Sequence, residues 1–272
     1  MTFAKKKFGQ NFLKSTSALE KIIAASEVAP GETVLEIGPG RGALTKKLLE
    51  TGAIVHALEI DPDMIEVLQE KFSEEVASGK LKIISGDIEK MEIEELLESK
   101  YRVVANIPYY ITGLIIRKFL ESQYQPISMT LLVQKEVAER IVDGAEKNGK
   151  KMKTQKENIL SLSVKIFGDV RYVATVPASA FTPAPRVDSA VIHISNISHE
   201  RLTRVGIDTK GFFRIVKEGF AQKRKTLRNN LMNAGYEKEL VRELLTNLGV
   251  DEKIRAEDLT LDQWITVAQK MK

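Results

Sequence analysis

Between residues 33 and 134 short apolar runs alternate with segments of helical spacing, and this rhythm constrains the fold more than any other feature. The runs are TVLEIG (33–38), AIVHALEI (53–60), LKIISGD (81–87), RVVANI (102–107) and SMTLLVQ (128–134). Between them, ALTKKLLE and PDMIEVLQEKF place apolar residues three and four apart, the second with Pro62 in its first turn. Near-continuous apolar strands are covered on both faces, and helical crossovers make their neighbours parallel. The pattern therefore predicts an α/β fold, a Rossmann-like, mainly parallel sheet with helices on both sides. Upstream, residues 15–26 read as a helix opened by Ser17, with Glu20 completing a capping box. VQKEVAERIV (133–142) carries helical charge pairing and reads as scaffold.

The rhythm changes after about residue 168. VRYVATV and SAVIHIS, joined by the proline-rich PASAFTPAPRVD, predict an antiparallel pair at the sheet edge, for seven strands in all. From about residue 197 the strand signal disappears. GFFRIVKEGFAQKRKTLRNNLM, EKELVRELLTNLG and LDQWITVAQKM read as helices, the last capped by Thr260 with Gln263. Trp264, spaced with Leu261 and Val267, reads as core. The expected organisation is a catalytic domain over 1–199 and a small helical domain over 200–272, with DGAEKNGKKMKTQK (143–156) a mobile loop.

Composition removes several function classes. The 272 residues include no cysteine, which excludes disulfides, thiolate zinc sites and cysteine nucleophiles. The histidines His56, His193 and His199 stand far apart, so no metal is expected. No apolar run approaches the roughly 20 residues that cross a bilayer. MTFAKKKFGQNFL has lysines but no apolar stretch behind them and does not read as a signal peptide, so a cytoplasmic location is expected. Net charge is only +4, but it is segregated. Basic residues gather at Lys5–Lys7, at Lys147–Lys156 and at Lys223, Arg224, Lys225 and Arg228, while glutamates gather between Glu89 and Glu98. Segregated positive charge suits a polyanion. FAQKRKTLRNN (220–230) reads as a helix start mixing those four cations with Thr226 and Asn229, a composition that positions a phosphate backbone, so these residues are candidate RNA contacts.

In open α/β sheets ligands bind beyond the carboxyl ends of the strands. Those ends here carry Glu36, Gly38, Gly40 and Gly42 in EIGPGRG, then Glu59, Asp87 and Asn106. Glycines in the first turn admit a ligand close to the backbone, and an acid about 20 residues further on suits ribose hydroxyls. A nicotinamide dinucleotide would use the same features. The spacing, however, is G-x-G-x-G, and a pyrophosphate at this turn would meet the like charge of Glu36. A nucleoside with a cationic tail is favoured there, which points to S-adenosylmethionine. Asp87 then faces the adenine edge, and Ile60 and Ile88 complete the candidate cofactor set.

NIPYYIT (106–112) fits the other half of such a reaction. An exocyclic aromatic amine is a poor nucleophile because its lone pair is delocalised into the ring. Acceptors on its two N–H groups favour a pyramidal nitrogen, and the Asn106 side-chain oxygen and Ile107 carbonyl can supply them. Pro108 stiffens the turn and removes a competing N–H. Tyr109 offers a ring face to an extruded base. Tyr110 reads as packed.

Taken together, these motifs resemble the ribosomal RNA adenine N6-dimethyltransferases, nearly end to end and in order. FGQNFL (8–13) resembles that family's N-terminal cofactor motif, EIGPGRGALT its glycine loop, LEID its ribose site, GD (86–87) its adenine site, NIPYYIT its catalytic motif and FTPAPRVDSAV (181–191) its late target-base motif. The resemblance implies that Asn11, Leu13, Gly38, Glu59, Asp87 and Asn106 line the cofactor pocket and that Phe181 holds the base opposite Tyr109. It also implies dimethylation of two adjacent adenosines near the 3′ end of small-subunit ribosomal RNA; the expected partner is that RNA within a 30S-like particle, and the expected state a monomer. Three alternatives stand beside it. One is the large-subunit, macrolide-resistance branch; NIPYYIT followed by Gly113-Leu114, with FTPAPRVDSAV complete, leans away from it. The others are a ribosome-assembly factor with incidental methyl transfer and, more remotely, a nicotinamide oxidoreductase.

Overall fold

The computed structural model describes residues 10–97, 100–142, 146–147, 150–151 and 156–272. Seven strands form one sheet: β1 (Thr33–Ile37), β2 (Ile54–Glu59), β3 (Leu81–Ser85), β4 (Tyr101–Asn106), β5 (Met129–Gln134), β6 (Asp169–Val176) and β7 (Ser189–Ser195). Their order is β3-β2-β1-β4-β5-β7-β6. The first five are parallel, and β7 runs antiparallel to both β5 and β6, as the change of rhythm near residue 168 predicts. The chain winds outward from β1 through β2 to β3, then restarts on the other side at β4. The crevice between β1 and β4 is therefore the topological switch point where ligands bind.

Side-chain alternation along each strand feeds two cores. Val34, Val104 and Leu132 belong to one, which is closed by the helix Thr16–Ser26 through Leu19 and Ile22 and by Ala43–Glu50 through Leu44 and Leu48. Leu35, Val103 and Leu131 belong to the other, closed by Thr112–Glu121 through Ile115, Ile116 and Phe119. That second core continues into the C-terminal helices through Phe212 and Trp264, both fully buried. The Phe167 ring joins sheet and helices, packing against His199 at 5.2 Å and Phe213 at 6.2 Å.

Several local expectations change. The first helix is capped by Ser15, whose extended backbone lets its side chain accept from the Ala18 amide. Ser17 lies inside the helix, which runs from Thr16 to Ser26. The stretch read as one helix over 211–232 is two, Thr209–Gly219 and Leu227–Asn233. Gly219 lies so close to Trp264 that a Cβ would come 2.4 Å from its ring. Phe220 then stacks on the same indole with ring centroids 5.3 Å apart. The break is satisfied locally: Asn230 Nδ2 donates to the Gly219 carbonyl at 2.6 Å, and Thr226 caps the second helix. Of the loop expected over 143–156, residues 143–145, 148–149 and 152–155 lie outside the described residues, while Glu146–Lys147 pairs antiparallel with Lys150–Lys151. Lys5–Lys7, the first two residues of FGQNFL and Glu98 also lie outside them.

Candidate active site

A cavity of about 450 Å³ opens at the switch point, walled by the loop after β1, the ends of β2 and β4, the turn after β3, and residues 10–14. Asn11, Leu13, Glu36, Gly38, Gly40, Glu59, Ile60, Asp87, Ile88, Asn106, Ile107, Pro108 and Tyr109 all stand on its wall.

Gly38 has φ +67°, a left-handed conformation that disfavours a side chain, and a Cβ there would meet nothing within 4 Å, so the loop presents bare backbone to open space. Gly40, at φ +55°, donates its amide to Glu59 Oε2 at 3.0 Å. Glu59 Oε1 accepts from the amides of Ile60 at 2.9 Å and Asp61 at 3.0 Å. One buried carboxylate thus ties the glycine loop to the end of β2. Burial pushes its pKa up, against the lowering by these backbone donors.

Glu36 is the electrostatic centre of the other end. It is 1% exposed, and its Oε2 has no hydrogen-bond partner. Burial, and then the like charge of Glu59, push its carboxyl up to about 8. Lys71 lies near enough to oppose that shift, and its Nζ donates to the Arg41 carbonyl of the glycine loop at 2.8 Å. On the far side Asp87 Oδ1 accepts from the Glu89 amide at 3.0 Å, with Ile88 buried beneath it. A pocket with bare backbone on one wall, a ribose-height acid held by backbone donors, and an orphaned buried carboxylate oxygen at the tail end fits a cationic nucleoside. S-adenosylmethionine is such a group.

The catalytic motif is fixed from two directions. Asn106 Nδ2 donates to the Asn11 carbonyl at 3.2 Å, which fixes the amide's orientation by committing its nitrogen to the protein. Tyr109 is half-buried, and its hydroxyl meets Ser189 Oγ at 2.7 Å at the start of β7. Sequence reading missed both supports, because a backbone carbonyl and a strand-initial serine carry no signal until the fold brings them there.

Other expected residues are placed elsewhere. Phe181 does not reach the cavity: it is 2% exposed and pairs with Leu13 in a short antiparallel ladder, and its neighbour Thr182 takes the place on the wall. Tyr110, read as packed, is 67% exposed at the cavity mouth. Lys223, Arg224 and Lys225 are exposed, but in the turn before Leu227–Asn233 rather than on a helix. Arg228 is engaged by Glu252 at 2.9 Å, so it is not an open cation. His56, His193 and His199 contact Leu96, Thr130 and Ser122 respectively, and none lines the cavity. Among the described residues no acidic or histidine cluster could hold a metal, and no helix is long and apolar enough to cross a membrane.

Sheet order, glycine loop, strand-end acids and cavity together define an S-adenosylmethionine-dependent methyltransferase. Within that class the chain belongs to the ribosomal RNA adenine dimethylase family, whose model matches residues 1–272. Proteins named ribosomal RNA small subunit methyltransferase A are similar along most of their length. The one from Dehalococcoides mccartyi strain CBDB1 is 40% identical over 96% of this chain and 86% of its own. The one from Lactobacillus johnsonii is 39% identical over 99% and 91%. Among solved structures, a dimethyladenosine transferase from Plasmodium falciparum superposes with a TM-score of 0.75 at 26% identity, covering 94% of this chain and 95% of that one. The 23S rRNA methyltransferase ErmE superposes at 0.71 with 24% identity over 96% and 99%, a likeness of fold.

Proposed function

We propose that the protein transfers methyl groups from S-adenosylmethionine to N6 of adenosine in small-subunit ribosomal RNA, twice per base, at two adjacent adenosines near the 3′ end. The observation that carries this reading is the orientation of Asn106: with its nitrogen held by the Asn11 carbonyl, its oxygen is set to accept from an adenine amine beside Tyr109. The small-subunit assignment is supported by the curated relatives near 40% identity. The cofactor supplies an electrophilic methyl on a sulfonium sulfur.

This chain's residues do the rest. Glu59 accepts from the ribose hydroxyls and Asp87 from the cofactor adenine. Asn106 Oδ1 and the Ile107 carbonyl accept from the target amine and localise its lone pair. Tyr109, anchored through Ser189, offers its ring to the flipped base. Phe181 supports this wall from behind through Leu13 rather than clamping the base. Residues 1–199 carry the chemistry, and 200–272 dock the RNA through the exposed turn Lys223–Lys225. The enzyme acts as a monomer in the cytoplasm on a 30S-like particle.

The test offers labelled cofactor to small subunits lacking the modification and, separately, to bare large-subunit RNA. Digestion and mass spectrometry should find dimethyladenosine at two adjacent small-subunit positions. Label confined to large-subunit RNA would transfer the protein to the other branch of the family, and label in neither, with cofactor bound, would favour an assembly factor.

A further inference from the structure

The cavity wall is rich in acid: Glu36, Glu59, Asp87 and Glu89 all stand on it. The cofactor's tail is a zwitterion, so its α-ammonium is welcome there while its α-carboxylate is repelled unless a cation meets it. Among the described residues the cations on the wall are Lys14, Arg41 and Lys71; the Arg41 guanidinium lies over the Phe12 ring at 4.6 Å, and Lys71, the last residue of the helix Pro62–Lys71, is the one whose charge reaches Glu36. Its ammonium donates one N–H to the Arg41 carbonyl and lies over the Phe72 ring, 5.0 Å from its centroid, which leaves N–H groups to donate elsewhere. That hydrogen bond goes to a neutral carbonyl, so the charge is anchored without being neutralised. Desolvation first, then repulsion from Lys46, draw its pKa below the usual lysine value, and Glu36 alone opposes them. Lys71 is exposed, and an ammonium beside another cation gains from an arriving carboxylate.

We propose that Lys71 is the anion half of the cofactor's tail site: it pins the glycine loop through Arg41 and takes the α-carboxylate, opposite Glu36, which takes the α-ammonium. The inference rests on the S-adenosylmethionine assignment and adds a subsite to it. Lys71 senses the carboxylate and not the transferable methyl, so it contributes equally to holding S-adenosylmethionine and the demethylated product.

Calorimetry with the intact protein tests this, using S-adenosylmethionine and its decarboxylated analogue as probes. Wild type should prefer the intact cofactor, and Lys71→Met should lose about tenfold affinity for it, the lower end of one charge-assisted hydrogen bond because Lys71 is exposed. The same substitution should leave the decarboxylated analogue within about twofold, and Lys71→Arg should keep the preference. Equal losses for both probes would reduce Lys71 to a loop clamp and overturn the proposal while the cofactor assignment stands. Selectivity lost in Lys14→Met but kept in Lys71→Met would overturn it in favour of Lys14, another cation on the wall. Wild type binding neither probe would overturn the cofactor assignment itself, and this proposal with it. Should Lys71→Met fail to fold, Lys71→Gln with the same two probes gives the same decision.

Discussion

The two halves of the cavity are built differently. On the cofactor side Glu36 and Glu59 stand on strands and are buried, and Glu59 alone holds three amides from two loops, while Glu36 keeps one oxygen unpartnered. On the base side Asn106 ends β4 and the two tyrosines stand on the turn that follows, where Tyr109 is only half-buried and Tyr110 is 67% exposed. The difference matches the two ligands. A small cofactor of fixed shape rewards a preformed site, because little ordering remains to be done on binding. A nucleotide that must leave its RNA stack needs an open mouth and a surface that tolerates motion.

If the base side acts mainly through orientation, its mutants should lose rate rather than affinity. Asn106→Ala removes the amide oxygen aimed at the amine, and we expect turnover at saturating cofactor to fall by roughly 10²-fold, the scale of losing one preorganised hydrogen-bonding group. RNA affinity should change little. Single-turnover kinetics with filter binding separates the two, and a rate within about twofold of wild type would remove Asn106 from the chemistry.

The cofactor side should show the opposite pattern. Glu59→Ala deletes both the ribose acceptor and the tie between the glycine loop and β2, so S-adenosylmethionine binding should weaken by about 1.5–3 kcal/mol per charged hydrogen bond lost. The rate at saturating cofactor should suffer less. Unchanged affinity by calorimetry would exclude Glu59 from the site.

Glu36 gives a subtler probe, through pH. Its folded pKa of about 8 lies above its ordinary 4.5, so between those values the native protein holds a proton that the unfolded chain has released. That contribution to stability is complete below the lower value and is lost as pH rises to the upper one. The free enzyme should therefore melt at lower temperature at pH 8 than at pH 5.5 by a margin that shrinks in Glu36→Gln. Bound cofactor, bringing positive charge to the carboxylate, should shrink it in wild type as well. Melting curves with an equal pH margin in both proteins would show that Glu36 is already ionised when the pocket is empty.

The same contrast explains what was legible in the sequence. Strand ends are positions fixed by local pattern, so the sequence alone puts Glu36, Glu59, Asp87 and Asn106 on one wall, and β1–β5 follow from apolar runs and spacing. What the sequence withheld depends on contacts between distant segments. The Asn11 carbonyl reaches Asn106 across 95 residues, and Ser189 reaches Tyr109 across 80. The family resemblance implies that Phe181 holds the base, and only the pairing with Leu13, far back in the chain, buries its ring in the core. Arg228 looked like a phosphate contact until Glu252 met it. The broken helix near residue 220 was hidden for the same reason: Gly219 and Phe220 answer to Trp264, which lies far along the chain.

The smallest expected effect lies farthest from the chemistry and separates the halves by a different lever. Lys223, Arg224 and Lys225 are exposed in their turn, whereas Arg228 is held by Glu252, so only the first three are open to phosphates. Each phosphate contact made to structured RNA releases counterion, and the slope of log affinity against log salt changes by about 0.7–0.9 per contact. Replacing Lys223 and Arg224 by alanine should flatten that slope by up to twice this amount, and adding Arg228→Ala should flatten it no further. Cofactor affinity measured across the same salt series should be indifferent to all three substitutions, because the cavity does not include these residues. A slope unaltered by Lys223→Ala/Arg224→Ala would make the turn a solvated surface and move RNA docking to another face. A slope that responds to Arg228→Ala would mean that RNA displaces Glu252 from the arginine.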